Sequence, residues 1–258
     1  MATIEMNMLS VITCGSISVR VFCPGMDKLF LDDAEHTKKY PAIWLLHTDG
    51  GAALDWLSTP AERIAEEYGV FLIAPDQHHA LCTNMKYGPR YEHFLNTELP
   101  GICRNSLPIS DDPNDNWIVG VGTGGYGAVK MTLKHPETFS AAASLNGVLD
   151  MQAVIDKALK GEDTGIRHDQ ASLEAVFGEL NAFSGSQNDL FALAHQPEPG
   201  RFLFAFEQDC GTREDSLRLA KLLGDRAQVK ELEAGADLGT CQHSLWEAAS
   251  WLMKGEKA

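Results

Sequence analysis

The 258-residue sequence predicts a single α/β domain: a mostly parallel sheet of about eight strands flanked by helices. Three observations carry this. Short apolar runs such as Ala42 to Leu46, Val70 to Ala74 and Arg201 to Glu207 have the length and content of strands buried on both faces. Helical stretches alternate with them, as β-α crossovers require. Between Trp117 and Asn146 the run WIVGVGTGGYGAVKMTLKHPETFSAAASLN reads as strand, glycine-packed turn, amphipathic helix to about His135, and strand again.

From the N-terminus, Ile4 to Thr13 and Ser16 to Cys23 alternate around Cys14-Gly15 and predict an antiparallel hairpin on the sheet edge, closed by Pro24. Residues 25 to 40 are a charged surface connection, and Ala42 to Leu46 is the next strand. Thr59-Pro60 opens a helix that ends at Tyr68, before Gly69. After the strand Val70 to Ala74, the stretch Asp76 to Pro100 carries His78, His79, Cys82, Tyr87, Gly88, Tyr91 and His93 and ends in a helix with Glu98-Leu99-Pro100. Adjacent histidines in a strand or loop point apart, so the pair beside Cys82 predicts no metal site. Asp111 to Asn116 is an acidic turn that lacks the glycine and glutamate of an EF-hand.

Residues 147 to 200 predict a cap-like insertion with helices at Met151 to Lys160, Ser172 to Phe177 and Gln187 to His195. Arg201 to Glu207 is a strand, Thr212 to Leu223 a helix and Gln228 to Leu232 the last strand. Ala234 to Gln242 is a loop of small residues, and His243 opens a helix to about Lys254.

The formal net charge of -15 opposes binding to nucleic-acid phosphates, which needs clustered Lys and Arg. No run of about 18 apolar residues predicts a membrane span. The start MATIEMNMLS lacks a basic, apolar leader, so the expectation is a cytoplasmic protein. The six cysteines are scattered without zinc spacing and read as small core residues or inert thiols.

Gly120-Val121-Gly122-Thr123-Gly124 has the frame of a G-x-S-x-G nucleophile elbow with glycine in place of serine. The GGYGA run that follows it, WLLH and DW upstream, and EQD and HSLW downstream resemble the esterase D group of α/β-hydrolases. That group contains S-formylglutathione hydrolases and tributyrin-type carboxylesterases, and the resemblance spans roughly Ile4 to Leu252.

The resemblance implies the α/β-hydrolase fold and a triad in the order nucleophile, acid, histidine, here Gly122 (the vacant nucleophile position), Asp209 and His243. It implies oxyanion-hole N–H groups at Asp49 and Thr123, and a pocket with His47, Thr48, Gly50, Gly124, Tyr126 and Cys241. Thr48 stands where the family has glycine; the expectation is that Thr48 adjusts the turn and Asp49 faces solvent. A Gly-Thr-His signature of some relatives sets Cys241 rather than His243 at the base position, and both alignments stay open. No cofactor or metal is implied. The implied ligand is a small acyl ester or thioester, and homo-oligomers occur among such relatives.

Glycine has no atom with which to attack a carbonyl. Losing the nucleophile of a triad costs on the order of 10⁶ in kcat. Glycine also relieves the elbow's backbone strain of roughly 1–3 kcal/mol. The sequence therefore predicts a non-hydrolytic binding pseudoenzyme. The alternatives are a weak or rerouted hydrolase in which His243 activates water, and a structural subunit with a vestigial pocket.

Overall fold

A computed structural model describes residues 2–25, 38–77, 79–197, 199–232 and 238–255, with the backbone alone for 238–242. Strands β1 (Ala2–Ser10) and β2 (Gly15–Cys23) form the predicted antiparallel hairpin, with Ala2 opposite Cys23 and Cys14 turning the chain at φ 55°. Next come β3 (Ala42–Leu46), helix α1 (Ala61–Tyr68) and β4 (Phe71–Pro75). Gly69 stops α1 in the left-handed conformation at φ 69°, its N–H returned to the Ala65 carbonyl.

A helical stretch begins at Tyr91, passes through a π-turn at Phe94–Glu98 and continues as α2 (Leu99–Ser106). The expected stop at Pro100 is overturned. Pro100 lies within this continuous helical run, just past the π-turn that interrupts the regular α ladder. Strand β5 (Asn116–Val121), helix α3 (Thr123–Lys134) and β6 (Ala141–Leu145) follow. The β6–β7 segment carries α4 (Met151–Leu159), α5 (Gln170–Phe177) and the short α6 (Leu190–Leu193). The chain then forms β7 (Arg201–Glu207), α7 (Arg213–Leu223), β8 (Ala227–Leu232) and α8 (Leu238–Lys254).

The eight strands make one sheet in the order β1-β2-β4-β3-β5-β6-β7-β8. It is parallel from β4 through β8; β2 alone runs against the rest, antiparallel to both β1 and β4. Side chains alternate across it. Phe202, Phe204 and Phe206 of β7 enter one core with Tyr126 and Val129 of α3 and Leu219 of α7. Leu203 and Ala205 enter the other, with Ile64 of α1 and Leu245 and Leu252 of α8. Burying each such Leu or Phe contributes about 1.5–3 kcal/mol. Among the described residues no helix is long and apolar enough to cross a membrane.

Two expectations about the C-terminal segment change. Leu238–Gln242, expected as loop, is already helix, so His243 lies inside α8 rather than in the loop before it. The rest of that expected loop, residues 234–237, falls outside the described residues, as do His78 and residues 26–37.

Candidate functional site

The carboxyl ends of parallel strands are where open α/β sheets place their sites, and here β3, β5, β6 and β7 end together. The β5-to-α3 turn is a true elbow. Gly122 adopts φ 57° and ψ -120°, donates its N–H to the Leu145 carbonyl at 3.0 Å and accepts from Gly125 and Val148. Small residues make the turn passable. A Cβ at Gly120 would run into the Gly124 carbonyl, and one at Gly124 would run into that of Leu46.

The two departures from the family pattern meet in space. A Cβ at Gly122 would lie 3.1 Å from the Thr48 Cβ and closer still to Thr48 Oγ1. The threonine hydroxyl thus fills the space in which a nucleophile side chain would begin. Thr48 does more than adjust its turn.

The loop after β3 is engaged internally. The Asp49 N–H donates to Thr123 Oγ1 at 2.6 Å, so one of the two expected oxyanion donors is held by a side chain. His47 is buried. Its Nε2 accepts the Gln77 N–H at 3.0 Å, which places the proton on Nδ1, 2.8 Å from the Thr48 carbonyl. With both nitrogens committed in the neutral tautomer, His47 splints the loop and offers no base. Tyr126, expected in the pocket, is fully buried instead and donates its hydroxyl to the Asn188 carbonyl at 2.7 Å.

The expected acid and base lie on separate elements. Asp209 is exposed in the turn after β7. His243 has a side chain 65% exposed and lies 3.7 Å from Glu247, which in turn pairs with Lys230 of β8. No hydrogen bond or ion pair joins Asp209 to His243 among the described residues. The Cys241 side chain lies outside them. At the same sheet end Asn146, at φ 47°, accepts the Glu207 N–H and ties β6 to β7.

Asp49 does not face solvent either. Its carboxylate is 3% exposed; Oδ1 is 2.6 Å from His79 Nδ1 and Oδ2 is 3.6 Å from His168 Nε2. The two imidazoles meet edge to face, 5.9 Å apart. Burial lowers the His168 pKa and the Asp49 charge works against it. The neighbouring Arg167 side chain lies over Gly50 so closely that a Cβ there would be 2.5 Å from Arg167 Cδ. A cavity of about 920 Å³ in this part of the β6–β7 segment is lined by Arg167, His168, Asp169 and Ser172 among others. Sequence reasoning missed His168, because no spacing rule links it to Asp49.

Cys82, once beside the histidines in sequence, turns into the core. Its Sγ lies 2.6 Å from Gln77 Oε1, and burial pushes the thiol pKa up to about 12, so it is inert. Below it, Lys130 of α3 is fully buried with Nζ 2.5 Å from Thr83 Oγ1 and 3.6 Å from Glu92 Oε2. Lys134 and His135 also reach Glu92. Burial would raise the Glu92 pKa, but these hydrogen bonds and the Lys130 charge bring it down to about 2. Burial lowers Lys130 to about 8. This network anchors α3.

The sequence pattern of the Esterase family matches residues 28–234. The acetyl esterase of Caldicellulosiruptor saccharolyticus is 28% identical over 202 residues, 75% of this chain and 73% of that protein. The fold is similar to that of the substrate-bound fluorophosphonate-binding serine hydrolase FphF of Staphylococcus aureus, at TM-score 0.86 and 23% identity over 98% of each chain. The S-formylglutathione hydrolase FrmB of the same organism superposes at TM-score 0.82, also with 23% identity and 98% of each chain. With an elbow, an eight-stranded α/β-hydrolase sheet and a match over most of its length, this chain belongs to the Esterase family.

Proposed function

We propose that this protein is a non-hydrolytic member of its family, one that binds a small acyl ester or thioester without forming an acyl-enzyme. The observation that carries this reading is the Thr48 hydroxyl over Gly122. The position holds no nucleophile, and the space for one is filled. Two further observations support it: the Asp49 N–H is already bonded to Thr123, and among the described residues no hydrogen bond joins Asp209 to His243. A triad histidine must hold the nucleophile's proton while the acid fixes its tautomer. The rerouted hydrolase with His243 as base draws no support from a histidine paired with Glu247 along its own helix.

The test is p-nitrophenyl acetate hydrolysis together with saturation-transfer NMR on the same ester. The expected result is transfer to the intact ester with no turnover above buffer, in the unaltered protein and in Gly122→Ser alike. Turnover by the unaltered protein that is lost in His243→Ala would overturn the proposal. So would the absence of any transfer to the ester.

A further inference from the structure

Beside the elbow, three segments bring together one aspartate and two histidines that the reading above does not use. Asp49 comes from the turn after β3, His79 from the stretch after β4 and His168 from between α4 and α5. One ligand atom from each lies within 4.8 Å of the other two. Asp49 supplies a carboxylate oxygen to each histidine, at 2.6 Å and 3.6 Å.

Burial makes this grouping costly as it stands. The Asp49 and His168 side chains are 3% and 1% exposed, yet Oδ2 of Asp49 and both ring nitrogens of His168 lack a hydrogen-bond partner. A buried polar atom left unsatisfied costs about 1–3 kcal/mol, and such atoms point to a missing water or ion. Water could meet one of them. A single cation between the three side chains meets the carboxylate and one nitrogen of each imidazole at once.

We propose that Asp49, His79 and His168 form a binding site for a divalent transition-metal ion of the zinc type. Two imidazoles and a carboxylate are a borderline-soft donor set that suits zinc and its neighbours better than calcium or magnesium, which take oxygen ligands. Zinc bonds of about 2.0–2.2 Å in a tetrahedron hold neighbouring ligand atoms about 3.3 Å apart. Ligand atoms that now lie within 4.8 Å of one another would draw in to that spacing by at most about 1.5 Å, while the 2.6 Å contact between Asp49 Oδ1 and His79 would open. The edge-to-face rings leave this room, whereas stacked rings would not. His79 is the natural entry point, with its side chain 62% exposed. Thr164 steadies the buried side by donating its hydroxyl to the His168 carbonyl at 2.8 Å.

The experiment is a calorimetric titration of the metal-free full chain with Zn²⁺, with Co²⁺ uptake read by visible absorption. The expected result is one saturable Zn²⁺ site and cobalt d–d bands free of thiolate charge transfer. Because His79 is exposed, His79→Ala should still fold, with a metal-free Tm lowered by no more than the loss of its one contact with the buried Asp49 carboxylate accounts for. Even an outer partner of a metal ligand is worth about 10–100-fold in affinity, so losing the ligand itself should weaken Zn²⁺ by at least about 100-fold. His168→Gln should do the same. The proposal is overturned by no saturable uptake, by uptake equal in His79→Ala, or by a thiolate-type cobalt spectrum that assigns the ion to cysteine.

Discussion

Restoring the missing nucleophile should cost stability, and Thr48 should be responsible for part of the cost. Gly122→Ser introduces a Cβ at φ 57° and ψ -120°, conditions that favour glycine; the strain is about 1–3 kcal/mol. The new Cβ also meets Thr48. Its Oγ1 can swing away about χ1 at about 0.5–1.5 kcal/mol. The Thr48 Cβ, 3.1 Å away, moves only with the loop that His47 splints. Together these give about 2–5 kcal/mol for the single variant, of which about 1–2 kcal/mol depends on Thr48. Thr48→Gly in the same molecule should return that share and leave the backbone strain. The assay is a double-mutant cycle of urea unfolding on the parent, both single variants and the double variant. At roughly 2–4 °C per kcal/mol for a domain of this size, the Gly122→Ser Tm should fall by about 4–20 °C. Strict additivity of the two substitutions would refute the steric coupling, and a Gly122→Ser variant as stable as the parent would refute the strain as well.

The buried Glu92–Lys130 pair gives a second prediction. Glu92→Gln strands a fully buried ammonium and should cost about 3–5 kcal/mol in chemical denaturation. In the parent, the Glu92 pKa is held down at about 2 from an ordinary 4.5. Its stabilising share is therefore complete above pH 4.5 and is lost as the pH falls to 2. Lys130 is lowered from 10.5 to about 8, so the unfolded chain binds the extra proton and stability should rise with pH between those values. A stability-against-pH profile, with Lys130→Met as control, checks both signs. Thirdly, Gly50→Ala meets both φ 76° and the Arg167 side chain, and should lower stability by at least about 1 kcal/mol by thermal melt; a neutral result would show that Arg167 swings aside freely.

Much of the sheet is readable in the chain. Ala42–Leu46 and Arg201–Glu207 are recovered to the residue, because each is an uninterrupted apolar run stopped by a proline or a turn. The elbow announces itself through glycines, two of which, Gly120 and Gly124, would drive a Cβ into backbone carbonyls. Helix starts are less legible. Leu238-Gly239-Thr240-Cys241-Gln242 carries weak helix formers and reads as loop, and that error moved His243 from a loop into α8. The site was legible as single departures, Gly122 and Thr48, but not as a contact, since the distance between them is set by how closely β3 and β5 pair. The grouping of Asp49 with His79 and His168 was out of reach for the same reason. Three loops from distant parts of the chain must converge, and no local pattern encodes that.

The Thr48–Gly122 contact also governs the order in which mutations could rebuild an esterase. If serine arrives first, the intermediate carries both the strain and the clash and gains no chemistry. If glycine arrives first at position 48, the intermediate has gained nothing that selection could act on, since position 122 still lacks a nucleophile. One route runs through a less stable protein and the other through an idle one. On the proposed reading the arrangement works as a ratchet: a single hydroxyl, placed over a single glycine, makes a serine at position 122 harder to gain than to give up.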